Sequence, residues 1–230
     1  MKQVTLRRPE LPYEIAEEIK SLRTNIRFCG DDKRVIMMTS CISGEGKSTL
    51  SLQLASSIAE LGFKTVLVDT DLRKSQLEKQ AVNSKFGQGV THYLAGQCPL
   101  EDALYFSGIS GLFVMPAGAV PPHPSELLAS GRMDNLLREL RATFDYIIVD
   151  CAPLGLVVDA AVVAPRCDGS ILVIEADSIS YHFAQEVSAK LKNAQCPVLG
   201  AVLNKVNREH GKYYGYGKYY GKKYEEYYYK

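Results

Sequence analysis

Residues 39–49 combine two glycines, a lysine and hydroxyl side chains in a spacing that could hold phosphate groups. They read Thr-Ser-Cys-Ile-Ser-Gly-Glu-Gly-Lys-Ser-Thr and follow an apolar run. Gly44 and Gly46 would let successive backbone N–H groups face a phosphate, and the positive end of a following helix would add to that attraction. Lys47 would reach the β- and γ-phosphates, and the Ser48 hydroxyl would ligate Mg²⁺.

Two other apolar runs end on aspartates. Residues 66–68 lead into Asp69 and Asp71, and residues 147–149 lead into Asp150. Ligands of open α/β sheets bind at the carboxyl ends of strands, so these carboxylates should converge on the edge that carries the glycine loop. We therefore expect a magnesium–phosphate site there.

The elements that must position these residues are short apolar runs alternating with helical patterns. The runs are continuous rather than alternating, which is typical of parallel strands buried on both faces. Strands are predicted at Val35–Thr39, Thr65–Asp69, Leu112–Met115, Tyr146–Asp150, Ser170–Glu175 and Val198–Leu203. Helices are predicted at Tyr13–Phe28, Lys47–Leu61, Glu126–Ala142 with a break near Gly131, and Tyr181–Asn193. This order predicts an α/β fold with a doubly wound, mostly parallel sheet flanked by helices. Together with the glycine loop, it indicates the P-loop NTPase type.

Composition limits the classes of function. The 230 residues are 46% hydrophobic and 23% charged, with a net charge of +1, which argues against disorder and against a general nucleic-acid binder. We expect no secretion leader after Met1, and the apolar stretch at 146–165 carries two aspartates that disfavour a membrane span. Six scattered cysteines without a C-x-x-C pair predict reduced thiols. We expect a cytoplasmic protein.

The last 20 residues differ sharply from the rest. They hold nine tyrosines, five lysines, four glycines and two glutamates, without Leu, Ile or Val. Such a segment cannot offset the entropy of ordering itself, so we predict a domain at 1–210 and a flexible tail at 211–230. Its tyrosines are Tyr213, Tyr214, Tyr216, Tyr219, Tyr220, Tyr224, Tyr227, Tyr228 and Tyr229.

Together these motifs resemble the bacterial tyrosine kinases of capsule and exopolysaccharide synthesis, relatives of the MinD and ParA ATPases. Residues 40–49 match the Walker A loop of that family, residues 69–73 its Asp-x-Asp-x-Arg element and residues 150–153 its Asp-x-Ala-Pro strand end. Residues 116–128 are similar to a further family stretch, and the tail is similar to its autophosphorylated tyrosine cluster. Because no span is predicted, the chain resembles the split form of Gram-positive bacteria.

The resemblance implies a role for each matching residue. ATP and Mg²⁺ are the implied cofactors, and Asp69 is our choice for orienting or deprotonating the acceptor tyrosine. The catalytic set is Lys47, Asp69, Asp71 and Asp150, and the metal set is Ser48, Asp71 and Asp150. The nucleotide set is Gly44, Glu45, Gly46, Lys47, Ser48, Thr49, Asn204 and Lys205, the last two as adenine contacts.

The resemblance also implies partners. Glu17, Lys20 and Arg23 match the family's ring-assembly element Glu-x-x-Arg-x-x-Arg, with Lys in place of the first Arg. We expect a homo-oligomeric ring, with an octamer as the candidate size. We also expect a transmembrane activator that recruits the kinase to the inner face of the membrane, a cognate tyrosine phosphatase, and no nucleic acid.

Two other functions remain open at this point, besides a small-molecule kinase, for which the sequence shows no evident lid-like segment. One is a MinD- or ParA-like ATPase switch that recruits partners without kinase activity. The tyrosine tail argues against it, as does Ile42 at the position where those ATPases carry a signature lysine. The other is a scaffold whose nucleotide only stabilises assembly, which would show intact binding with little turnover.

Overall fold

The computed structural model describes residues 2–7, 10–82 and 85–207. The nine tyrosines predicted as phosphate acceptors, and the domain boundary at residue 210, lie outside these ranges. None of the described helices is long and apolar enough to cross a bilayer.

Strands and helices alternate along most of the described chain. The strands are β1 (Lys2–Gln3), β2 (Thr5–Leu6), β3 (Val35–Ser40), β4 (Thr65–Asp69), β5 (Ala81–Val82), β6 (Tyr105–Phe106), β7 (Leu112–Met115), β8 (Tyr146–Asp150), β9 (Gly169–Glu175) and β10 (Val198–Asn204). The α-helices are α1 (Tyr13–Phe28), α2 (Lys47–Ala59), α3 (Val90–Leu94), α4 (Leu100–Ala103), α5 (Pro124–Ala129), α6 (Gly131–Thr143), α7 (Asp159–Val163) and α8 (Tyr181–Asn193). Short 3-10 helices cover Leu77–Gln80 and Ala164–Arg166.

Eight strands form the main sheet, in the order β1-β6-β7-β4-β8-β3-β9-β10. The six from β7 to β10 are parallel, whereas β6 runs antiparallel to β7 and β1 pairs parallel to β6. A separate pair, β2 and β5, is antiparallel. The predicted doubly wound, mostly parallel sheet is confirmed.

The central strand β3 separates two hydrophobic cores. Val35 and Met37 belong to one core, while Ile36 and Met38 belong to the other, and all four are fully buried. Because successive side chains of a strand point to opposite faces, a strand covered by helices on both faces needs apolar residues at every position. The continuous apolar runs of the sequence reflect this burial.

Helix α2 is buried on all sides. Every residue from Leu50 to Ala59 is buried, because α1 covers the side that faces away from the sheet. A helix in such a place carries apolar and small residues all round rather than a single stripe.

The long elements have the predicted boundaries to within about two residues. Helix α2 ends at Ala59 rather than Leu61, because Leu61 and Gly62 already form tighter turns and Gly62 is left-handed, with φ +89°. The predicted break in the third helix is confirmed at Ser130, whose extended backbone separates α5 from α6. The shorter strands and helices were not predicted, since two to five residues are too few to establish a period.

Candidate nucleotide-binding and phosphoryl-transfer site

The register of the central strands brings two of the predicted carboxylates side by side. Asp69 ends β4 and Asp150 ends β8, and the two residues are direct partners in the parallel ladder. Thr70 reinforces this join, because its backbone N–H donates to the carbonyl oxygen of Asp150 at 2.8 Å. The predicted convergence of these strand ends is therefore confirmed.

The glycine loop connects the end of β3 to the start of α2. Gly44 and Gly46 have φ angles of +97° and +89°, which side chains disfavour, so glycine is required for this path. The first turn of α2 has no capping side chain and no acidic residue. A helix start of this kind presents N–H groups and a positive dipole end to an anion. Thr49, in this first turn, is exposed.

Lys47 lies at the centre of the site. Its ammonium is 3.1 Å from Asp71 Oδ2, 3.3 Å from Asp150 Oδ1 and 3.1 Å from Ser48 Oγ. Burial acts to lower the pKa of Lys47, but Asp150 and Asp71 outweigh it and the net shift is upward, so the group stays charged. The structure thus brings the predicted lysine, hydroxyl and two of the carboxylates together.

The oxygens around this ammonium also fit a magnesium ion. Ser48, Asp71 and Asp150 offer a hydroxyl and two carboxylates, hard donors of the kind that Mg²⁺ uses together with water and substrate phosphates. A cation already lies among them, namely the ammonium of Lys47. Within the described ranges no group of three or more His, Cys, Asp or Glu side chains is arranged to enclose a metal ion.

Asp69 is held by two hydrogen bonds and is almost fully buried. Its Oδ1 accepts from the backbone N–H of Asp71 at 3.0 Å, and its Oδ2 accepts from the Ser75 hydroxyl at 2.6 Å. Burial, together with the nearby Asp150, raises the pKa of Asp69 to about 7. Burial also raises the pKa of Asp150, although Lys47 opposes that shift. Asp69 is therefore suited to accept a proton near neutral pH.

A small, partly open cavity adjoins Asp69. Its lining combines the polar end of the site with apolar and amide side chains: Ser48, Leu67, Asp69, Gln76, Leu77, Gln80 and Asp150.

Sequence reasoning missed Ser75 and Asp159. Asp159 is only 1% exposed, and both of its carboxylate oxygens accept from the Arg73 guanidinium, at 2.7 and 3.0 Å. Ser125 donates to the same carboxylate at 2.7 Å. This ion pair ties the loop that carries Asp71 to α5 and α7. A serine in a loop and an aspartate at the start of a short helix give no sequence signal beyond capping.

Glu45 braces the phosphate loop from within. Its carboxylate accepts from the backbone N–H of Ile42 at 2.8 Å and from that of Glu175 at 3.2 Å. Both hydrogen bonds of the Glu45 side chain are therefore with the protein backbone. Asn204 and Lys205 lie against the same loop, and their side chains contact its carbonyl groups.

The predicted assembly residues lie on α1. Lys20 pairs with Glu17 at 2.6 Å on the helix surface. Arg23 is half-buried and donates from Nη1 to the carbonyl oxygen of Ser57 at 2.8 Å and to its hydroxyl at 3.0 Å. Arg23 thus joins α1 to α2 within one chain, while Glu17 and Lys20 remain accessible.

Comparison with known proteins connects this geometry to an activity. A family model described as an AAA domain matches residues 33–198. Tyrosine-protein kinase CpsD of Streptococcus agalactiae is 39% identical over 203 residues, covering 88% of this chain and 89% of the relative. This chain belongs to the family of bacterial tyrosine-protein kinases.

Solved structures of the family agree with the fold. The kinase domain of Escherichia coli tyrosine kinase ETK matches with a TM-score of 0.81 and 30% identity, covering 90% of this chain and 85% of that one. MinD of Pyrococcus horikoshii, complexed with Mg-ADP, matches with a TM-score of 0.65 and 26% identity, covering 77% and 72%. The bacterial tyrosine-kinase family and MinD thus share this P-loop architecture. The chain is a protein-tyrosine kinase. The similar proteins do not favour the ATPase-switch alternative over this activity.

Proposed function

We propose that this bacterial tyrosine kinase transfers the γ-phosphate of ATP to tyrosines of its own C-terminal segment, residues 211–230. The observation that carries the proposal is the Lys47 cluster beside Asp69, in a chain whose last 18 residues hold nine tyrosines. A segment of 20 residues can span at most about 70 Å when extended, enough to reach the site of an adjacent subunit.

The residues of the site divide the work of phosphoryl transfer. The N–H groups of the glycine loop and the Lys47 ammonium bind the phosphates. Ser48, Asp71 and Asp150 would hold Mg²⁺, whose charge would offset that of the phosphate oxygens. Asp69 accepts the proton of the tyrosine hydroxyl. At the same time the tyrosine oxygen bonds to the γ-phosphorus, and the bond between the γ-phosphorus and the oxygen of the departing ADP breaks. Such catalysis is mostly positioning and charge stabilisation.

The names of relatives such as CpsD of Streptococcus agalactiae and CapB of Staphylococcus aureus support a place in capsular or exopolysaccharide synthesis and export. We further propose the predicted partners: a transmembrane activator that brings the kinase to the inner face of the membrane, and a cognate tyrosine phosphatase. The homo-oligomeric ring would use Glu17 and Lys20 on the open surface of α1. The adenine contacts of Asn204 and Lys205 stay a prediction.

Mass spectrometry of the full chain, incubated with ATP, Mg²⁺ and the cytoplasmic segment of the activator, tests the proposal. We expect phosphate on tail tyrosines of the wild type and none on Lys47→Met, which keeps most of the length of the side chain without its charge. A chain that ends at residue 210 should gain no phosphate. Phosphate-free tails together with ATP hydrolysis would favour the ATPase switch.

A further inference from the structure

Two consecutive side chains, at and just beyond the end of the last strand, hold the phosphate loop by its backbone. The amide Nδ2 of Asn204 donates to the carbonyl oxygen of Glu45 at 2.8 Å. The ammonium of Lys205 donates to the carbonyl oxygen of Gly44 at 2.9 Å. Two adjacent carbonyl groups of the loop are therefore held toward the end of β10.

Holding these carbonyl groups also orients the N–H groups that follow them. A trans peptide unit is planar, with its C=O and N–H bonds pointing in opposite directions. When Lys205 holds the Gly44 carbonyl, the N–H of Glu45 must face away from Lys205. In the same way, Asn204 directs the N–H of Gly46. A phosphate needs N–H groups facing it and carbonyl oxygens facing away, since carbonyl oxygens repel anions.

Neighbouring residues add further contacts to this support. Lys205 Nζ also pairs with Glu175 Oε2 at 2.9 Å, so the ammonium is fixed from two sides. The backbone N–H of Glu175 in turn donates to the carboxylate of Glu45 at 3.2 Å. Asn204 lies so close to the loop that a Cβ atom on Gly46 would clash with its amide nitrogen.

We propose that Asn204 and Lys205 are positioning residues for the phosphates of the nucleotide, acting through the carbonyl groups of Glu45 and Gly44. The inference rests on the proposed binding of ATP by this loop. It differs from an adenine contact, because a residue that acts on the loop affects any ligand with a phosphate chain, with or without a base.

Titration calorimetry with two ligands distinguishes these roles. The probes are Mg-ATP and magnesium tripolyphosphate, which has the phosphate chain but no adenosine. Lys205→Met and Asn204→Ala should each weaken both ligands by a similar factor, about tenfold, and Lys205→Arg should recover most of that loss by restoring a charged donor. Lys192→Met, on the surface of α8, is the matched control and should bind both ligands as the wild type does.

The melting temperature of each ligand-free variant is also measured, to distinguish a change in the loop from unfolding of the protein. If only the positioning of the loop is lost, the melting temperature stays within a few degrees of the wild-type value. Loss of ATP affinity with unchanged tripolyphosphate affinity would overturn the proposal in favour of a base contact. Unchanged affinity for both ligands would overturn it as well. Failure of the wild type to bind either ligand would instead refute the proposed nucleotide site on which the inference rests.

Discussion

At the scale of single residues, the site separates two kinds of carboxylate. Asp71 and Asp150 face the Lys47 ammonium, whereas Asp69 is held by neutral donors, the Ser75 hydroxyl and a backbone N–H. A carboxylate without a direct ion pair is free to accept a proton. The two hydrogen bonds fix the orientation of the Asp69 carboxylate.

Replacing Ser75 tests this orienting role. Ser75→Ala removes the 2.6 Å hydrogen bond to Asp69. A hydrogen bond to a charged group contributes about 1.5–3 kcal/mol, so we expect the rate of tyrosine phosphorylation to fall by about tenfold or more. ATP affinity, measured by titration calorimetry, should stay unchanged because Ser75 does not contact the phosphate loop.

Two further variants complete that test. Ser75→Thr keeps the hydroxyl and should recover most of the rate, while Ser110→Ala, at an exposed turn before β7, should behave as the wild type. A normal rate for the Ser75→Ala variant would show that Asp69 needs no support from this hydroxyl.

Lys47, Asp69, Asp71 and Asp150 could be predicted from the sequence because each follows a recognisable apolar run or glycine loop. The partners that hold them could not. Ser75, for example, reaches Asp69 across a turn whose path depends on the 3-10 helix that follows, and nothing in the local sequence fixes that path.

At the scale of elements, Asp168 ties the start of β3 to its neighbours. Its carboxylate accepts from the backbone N–H groups of Arg34 and Val35 at 2.9 and 2.7 Å. It also accepts from the Arg141 guanidinium of α6, at 2.7 and 3.0 Å. Because β3 leads directly into the phosphate loop, this carboxylate anchors the far end of the strand that supports the site.

The stability supplied by Asp168 should depend on pH. Burial acts to raise the pKa of this carboxyl, but the hydrogen bonds from Arg141, Val35 and Arg34 outweigh it and the net shift is downward. An unfolded aspartate titrates near about 3.9, so the contribution is complete above that pH and is lost as pH falls through the lower folded-state pKa.

Urea unfolding of Asp168→Asn measures that contribution. We expect the free energy of unfolding at pH 7 to fall by about 1–3 kcal/mol, with a smaller difference from the wild type below about pH 4. Asp31→Asn, in the exposed turn before β3, is the control and should change little. A difference that does not vary with pH would contradict the role of the charge.

The long strands were predictable because burial on both faces leaves a continuous apolar run, and most long helices because burial of one face leaves a periodic apolar stripe. The short elements α3, α4 and α7 were not, since each exists only where neighbouring elements pack against it. Tertiary contacts rather than local propensity decide such segments.

At the scale of the whole molecule, residues 211–230 carry charge as well as the proposed acceptor tyrosines. Residues 211–230 have a net charge of +3, and each phosphate adds about −1.5 to −2. Two or three phosphates would therefore reverse the sign of the tail. In the proposed ring, neighbouring tails would then repel one another and loosen the assembly.

Replacing all nine tail tyrosines tests the effect of charge on assembly. Tyr→Glu at these positions takes the tail from +3 to −6, and we expect a smaller oligomer mass by sedimentation velocity. Tyr→Phe at the same positions keeps the charge at +3 and should leave the mass as in the wild type. Equal masses for the two variants would refute the repulsion hypothesis.

The most direct test of phosphoryl transfer to tyrosine is a single-turnover experiment that counts three products in one sample. The full chain, in excess over ATP and with Mg²⁺ and the activator segment present, is quenched over time, and ADP, free phosphate and phosphotyrosine are measured together. We expect one phosphotyrosine for each ADP, with little free phosphate, and no products from Lys47→Met. One free phosphate for each ADP without phosphotyrosine would contradict phosphoryl transfer to tyrosine.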